Sequence, residues 1–135
     1  MIKNDDPVEI VNFMSHDLNI VNSKREVIFC QRPSNFVARV DLTSTRESSI
    51  IVGKSPNYVE IPVVRVKPAN IKVQDRQGNK FPFPEPAVGR VYIVSTLVAG
   101  IIRRPDILSP DTTSAGAVRD GDGELFAVKQ LQVFK

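Results

Sequence analysis

Arg103-Arg104-Pro105-Asp106, Ser109-Pro110-Asp111-Thr112-Thr113-Ser114 and Arg119-Asp120 bring three arginines, three carboxylates and several hydroxyls into one irregular stretch. An arginine fork matches phosphate or carboxylate oxygens two at a time, while Asp, Ser and Thr can hold ribose hydroxyls or base edges. The candidate ligand-binding residues are therefore Arg104, Asp106, Asp111, Thr112 and Arg119, and they suit a small phosphate-bearing ligand or a protein partner. The same residues also have a structural use. Cations complement a helix C-terminus, where Arg103 and Arg104 fall, and Asp111 can cap a turn by accepting from the amide two residues on. On sequence both readings stay open.

Three other motifs dissolve on inspection. Val52-Gly53-Lys54-Ser55 ends like a phosphate-binding loop, but position 48 is Ser48 rather than the first glycine, and Pro56 blocks the helix that would receive the phosphate. Asp120-Gly121-Asp122-Gly123-Glu124 starts like a calcium loop, yet Leu125 and Leu131 stand where glycine and glutamate are needed. It reads as a hairpin turn. Ser15-His16-Asp17 holds the residue types of a hydrolase triad, but triad members must converge in space, and neighbours in sequence do not make one. One Cys (Cys30) and one His (His16) leave no disulfide pair and no Cys/His zinc set within one chain, so no metal and no cofactor are expected.

The elements that must position these side chains are strands. Val and Ile number 31 against 13 for Leu and Ala, and β-branched residues suit a pleated, half-buried surface. Ten Pro and seven Gly punctuate the chain, as short strands joined by turns require. Strands are expected over 8–13, 18–21, 26–30, 36–42, 50–52, 58–66, 91–94 and 125–134, with polar 43–49 as a loop and Phe81 to Pro86 extended. Ser95 reads as the N-cap of one short helix near 95–103, with Leu97, Val98, Ile101 and Ile102 on one face and Pro105 ending it. The expected core takes in Phe36, Val37 or Ala38 with Val40, Val64, Ile93, Leu97, Val98, Ile101 and Val128. The fold class is mainly β (β-rich α+β): a single compact antiparallel sheet or barrel-like domain spanning 1–135. Net charge is +3, concentrated as +6 over residues 65–104, which reads as a solvated face or a surface for phosphates.

Asn12-Phe13-Met14-Ser15-His16-Asp17 resembles the "NLTPH" opening of a family of small bacteriophage and prophage proteins, with Met14-Ser15 in place of Thr-Pro. Ile61-Pro62-Val63-Val64-Arg65, then Tyr92-Ile93-Val94-Ser95-Thr96-Leu97-Val98-Ala99, look like later blocks of the same family. Arg104-Pro105-Asp106 through Pro110-Asp111-Thr112, and Ala117-Val118-Arg119-Asp120, complete the order. The resemblance covers most of the chain, from about residue 10 to residue 131. It implies a phage origin and carries over no catalytic residues. The functional expectation is a non-enzymatic binding protein in the host cell cytoplasm. It would antagonise host defence by sequestering a nucleotide signal or a host protein.

The alternative is a virion or assembly component, and a homo-oligomer fits either. An enzyme ranks lower, because no spacing singles out an acid–base pair. Nucleic acid is not the expected partner, since the aromatics do not interleave with the basic residues. The longest apolar stretch, Val91 to Ile102, falls short of the roughly 20 residues of a membrane-spanning helix, so no membrane partner is expected.

Overall fold

A computed structural model describes residues 7–134, leaving aside the side chains at 68 and 69. The described residues form β1 (Glu9–Asn12), β2 (Leu18–Val21), β3 (Val27–Gln31), β4 (Phe36–Lys54), β5 (Asn57–Asp75) and β6 (Lys80–Pro82). Then come β7 (Arg90–Ile93), α1 (Thr96–Ile102), β8 (Ile107–Pro110), β9 (Ala117–Arg119), β10 (Leu125–Val128) and β11 (Leu131–Val133). The described residues are mainly β with one short helix, in line with the Val/Ile excess.

One sheet or barrel is not what the strands build. They form three sheets, ordered β1-β7-β8-β11, β3-β2-β10-β9 and β4-β5-β6, and none closes into a barrel. Antiparallel pairs are joined by parallel ones: β1 with β7, β7 with β8, and β2 with β10. A parallel pair needs a crossover connection, and the single helix supplies it between β7 and β8. Ser95 caps that helix as expected, its Oγ accepting from the Val98 amide at 3.4 Å. Arg103 turns the chain out in the left-handed region at φ 55°, its amide donating to the Ala99 carbonyl, just ahead of Pro105. The expected strand over 125–134 breaks at Lys129-Gln130. The Lys129 amide donates to Gly116 and the Gln130 carbonyl accepts from the Asp111 amide, which moves β11 into another sheet from β10.

Two compact units result. The larger contains the described residues up to Arg39 and from Ile71 on; the smaller is 40–70. In the larger unit β7 lies between β1 and β8 and is buried on both faces, as parallel strands covered on two sides are. Tyr92 and Val94 join a cluster with Phe13, Ala38, Val73, Val98, Ala99 and Ile107, while Ile93 joins Met14, Leu18 and Val128 on the other side. Tyr92 stacks on Phe13 with centroids 5.3 Å apart, and Phe83 stands edge-on to both at 5.5 Å. Of the expected core, Ala38, Ile93, Val98 and Val128 are buried; Phe36, Val37, Val40 and Ile101 are half-buried. Leu97 is 55% exposed, a correction with a simple cause: the short helix turns only Val98, Ala99 and Ile102 to the core.

The smaller unit is a two-stranded ribbon made by residues 40–54 of β4 and 57–70 of β5, with Ser55-Pro56 between the strands. Residues 43–49, expected as loop, are strand here. Water on both faces lets a strand carry Thr, Ser and charges at every position, so the alternation that marks a half-buried strand is missing. Val64, expected in the core, is exposed for the same reason. Gly53 takes φ +104°, and a Cβ there would lie 2.6 Å from the Asn57 carbonyl oxygen, so glycine is required beside the turn.

Candidate functional site

The arginine-rich stretch is tied into the larger unit by its own side chains. Arg104 forks onto Asp106, Nε to Oδ1 at 2.9 Å and Nη2 to Oδ2 at 2.6 Å. Its Nη1 donates to the Pro84 carbonyl at 3.0 Å, and its guanidinium lies over the Phe83 ring, 5.3 Å from the centroid. These hydrogen bonds hold the Asp106 carboxyl below, and the Arg104 guanidinium above, their ordinary pKa ranges. The pair fastens the proline-rich segment before β7 to the start of β8.

Asp111 makes a second knot. One oxygen accepts from the Thr113 amide at 3.0 Å and the Thr113 hydroxyl at 2.6 Å; the other accepts from Gln130 Nε2 at 2.7 Å. The Thr113 hydroxyl, then Gln130, keep the carboxyl below its ordinary range. Gly116 passes so close that a Cβ would overlap the Asp111 backbone and side chain. Arg119 belongs to a third network, donating to the Gly123 carbonyl at 3.1 Å while its own carbonyl accepts from Arg25. Asp120 caps the adjoining turn through the Asp122 and Glu124 amides. The five sequence-chosen residues therefore do not converge. Arg104 with Asp106, Asp111, and Arg119 stand in separate hydrogen-bond networks, and Thr112 alone lines the main groove.

That groove, of about 610 Å³, is lined in part by a loop that a buried asparagine holds. Asn12 is 1% exposed at the end of β1. Its Nδ2 donates to the His16 and Gln31 carbonyls, both at 3.0 Å, and its Oδ1 accepts from the Met14 amide at 2.8 Å. The clamp curls the chain so that Met14 and Leu18 enter the core while Ser15, His16 and Asp17 face outward. Phe13, Met14, Leu18, Ala38 and Val128 contribute the groove's apolar lining. Its polar lining comes from Ser15, His16, Asp17, Arg39, Thr96 and Thr112, joined by the exposed Leu125 and Phe126.

The side chains of Ser15, Asp17, Arg39 and Thr112 hold no hydrogen bond or ion pair to another described residue. His16 Nδ1 lies 3.1 Å from the Asp17 backbone oxygen, so the triplet is not chained as nucleophile, base and acid. What remains is a concave surface with spare donors, free hydroxyls, the Asp17 carboxylate and an aromatic ring.

Sequence reasoning missed Arg39 and the outward face of Ser15-His16-Asp17. The available signal was Asn12: an Asx turn that accepts two residues on announces a built loop rather than a passive one. Arg39 carried a weaker signal, as the one charge between Ala38 and Val40 in an alternating run. No protein-family model, no curated protein and no solved structure matches this chain.

Proposed function

We propose that this chain is a binding protein of phage or prophage origin that holds a phosphate-bearing small molecule of nucleotide class without transforming it. In that role it antagonises host defence by sequestering a signal. The observation that supports this reading is the groove, where Arg39 stands with uncommitted donors beside free hydroxyls and the exposed Phe126 ring. The arginine fork meets phosphate oxygens, Ser15 and Thr112 suit a ribose, and Phe126 offers a face for a base. The groove's volume of about 610 Å³ falls in the range of roughly 300–1,000 Å³ typical of small-molecule sites. Binding is favoured over catalysis because His16 is turned to a backbone carbonyl rather than to a carboxylate. The family resemblance supports the phage origin.

The test is to heat-denature purified protein, identify what it releases by mass spectrometry, and titrate the protein with linear and cyclic nucleoside phosphates by calorimetry. A bound nucleotide that Arg39→Ala loses and Arg104→Ala keeps is the expected result. Absence of release together with absence of binding across the series would remove the reading. A virion or assembly role is the second reading, and the exposed apolar ribbon of 40–70 favours it.

A further inference from the structure

Nine of the eighteen exposed large apolar side chains among the described residues lie in the ribbon of 40–70. Ile50, Ile51 and Val52 on β4 and Tyr58, Val59 and Ile61 on β5 are 41–68% exposed around its tip. A two-stranded ribbon is marginal in water by itself, and this many exposed apolar side chains on one ribbon point to an interaction site.

Charge narrows the partner. Arg46 pairs with Glu60 at 3.9 Å and Arg65 pairs with Glu47, both inside the ribbon. Between Ser48 and Val63 the only charged residues are Lys54 and Glu60, which cancel. The tip offers no excess charge to a phosphate backbone, an anionic headgroup or an acidic peptide.

The edges narrow it further. β4 is the end strand of its sheet, so its outer edge has no strand neighbour among the described residues. Along that edge Val40 to Lys54 contains no proline, and Ser48-Ser49-Ile50-Ile51-Val52-Gly53 contains no charge. Those are the devices that normally protect an exposed edge. β5 has one of them, Pro62, which cannot donate to a ladder. The open edge is β4.

We propose that the β4 edges of two copies of this chain pair antiparallel across a two-fold axis, joining the two ribbons into one four-stranded sheet. A two-fold perpendicular to the sheet sets a residue opposite its own copy, which makes the interface self-complementary. With Ile51 on the axis, Ile50 faces Val52 of the second copy, and every central pair is apolar. Lys54 then faces Ser48, so no like charges are opposed. The inference does not use the groove, and it holds for an accessory protein and an assembly protein alike.

Sedimentation of the full chain across the micromolar range should give a dimer. Ile51→Arg, which sets two like charges opposite each other on the axis, should give a monomer with an unchanged far-ultraviolet spectrum. Val88→Arg, at an exposed position outside the ribbon, should stay dimeric. A second measurement covers the case in which Ile51→Arg misfolds. In a Cys30→Ser background, Ile51→Cys should form a disulfide-linked dimer on mild oxidation and Leu42→Cys should not, because the latter lies far from the axis. A wild type that stays monomeric, or a dimer indifferent to Ile51→Arg with no linkage through Ile51→Cys, overturns the pairing. So does a monomer that binds anionic vesicles or duplex DNA through the ribbon.

Discussion

Arg104 and Arg39 sit in the same compact unit, and the fold treats them differently. Arg104 gives Nε and Nη2 to Asp106 and Nη1 to a backbone carbonyl, and it rests on a phenylalanine ring. Arg39 gives nothing to any other described residue and lines the groove. A phosphate approaching Arg104 would have to displace a carboxylate already bound two oxygens at a time, whereas at Arg39 it would displace only water. Residue type and local density, which favoured the stretch from Arg103 to Asp120, measure how much hydrogen-bonding capacity a segment has. A ligand needs the capacity that folding leaves over.

The largest effect that tests this contrast belongs to Asn12, the residue that builds the groove's outward loop. Asn12→Ala leaves the buried Met14 amide and two part-buried carbonyls without their partner; the orphaned amide costs about 1–3 kcal/mol and the carbonyls, which water can reach in part, add less. A loss of about 2–4 kcal/mol in urea melts is expected. A loss below about 1 kcal/mol would mean that the loop is held by something else.

Arg104→Ala comes next. The pair is partly buried, so solvent screens it in part, and a loss of about 1–2 kcal/mol is expected with nucleotide binding unchanged. Asp111→Ala should likewise lower the melting temperature by several degrees, since Thr113 and Gln130 both lose an acceptor. If either variant instead kept its stability and lost binding, the contrast between the two regions would be reversed.

A smaller, diagnostic effect lies in acid. The carboxyls of Asp106 and Asp111 titrate below their ordinary range in the folded chain, the first because of Arg104, the second because of the Thr113 hydroxyl and Gln130. Their contribution is fully present above the unfolded value of about 3.9 and is lost as pH falls through the lower folded values. Melting temperature should therefore drop on acidification below about pH 4, and Asp106→Asn should make that drop shallower. An acid profile that Asp106→Asn leaves unchanged would show that the Arg104 pair adds nothing to folding.

How much of this was legible in the sequence depends on which interaction wrote the pattern. Local rules left clear marks: Ser95 as a cap, Pro105 as a stop, Leu18–Val21 as a strand, Asp120–Gly123 as a turn. Pairing between distant segments left none. Nothing in Val91–Val94 distinguishes a strand with parallel neighbours from one with antiparallel neighbours, because a strand buried on both faces reads as a plain apolar run. The ribbon hid for the opposite reason, since wet on both faces it lost its period over 43–49. Among the site residues, Thr112 alone lines the groove. The structural use of Arg104 and Asp111 was open from the start, but the partners that consume them, Pro84 and Gln130, lie twenty and nineteen residues away.

The smallest stability effect decides the functional half of the contrast. Arg39 has no partner among the described residues to lose, so Arg39→Ala should change stability by no more than about 0.5 kcal/mol, as surface substitutions away from structural features do. If a nucleotide phosphate sits on its fork, the same change removes charge-assisted hydrogen bonds worth about 1.5–3 kcal/mol. That corresponds to a roughly tenfold to hundredfold weaker Kd by calorimetry. Arg39→Lys keeps the charge and loses the planar fork, so it should recover part of the affinity if charge matters and little if two-oxygen recognition does. Phe126→Leu preserves an apolar surface without a ring face, and it should weaken purine nucleotides more than inorganic phosphate. Binding that survives all three substitutions would place the ligand outside the groove.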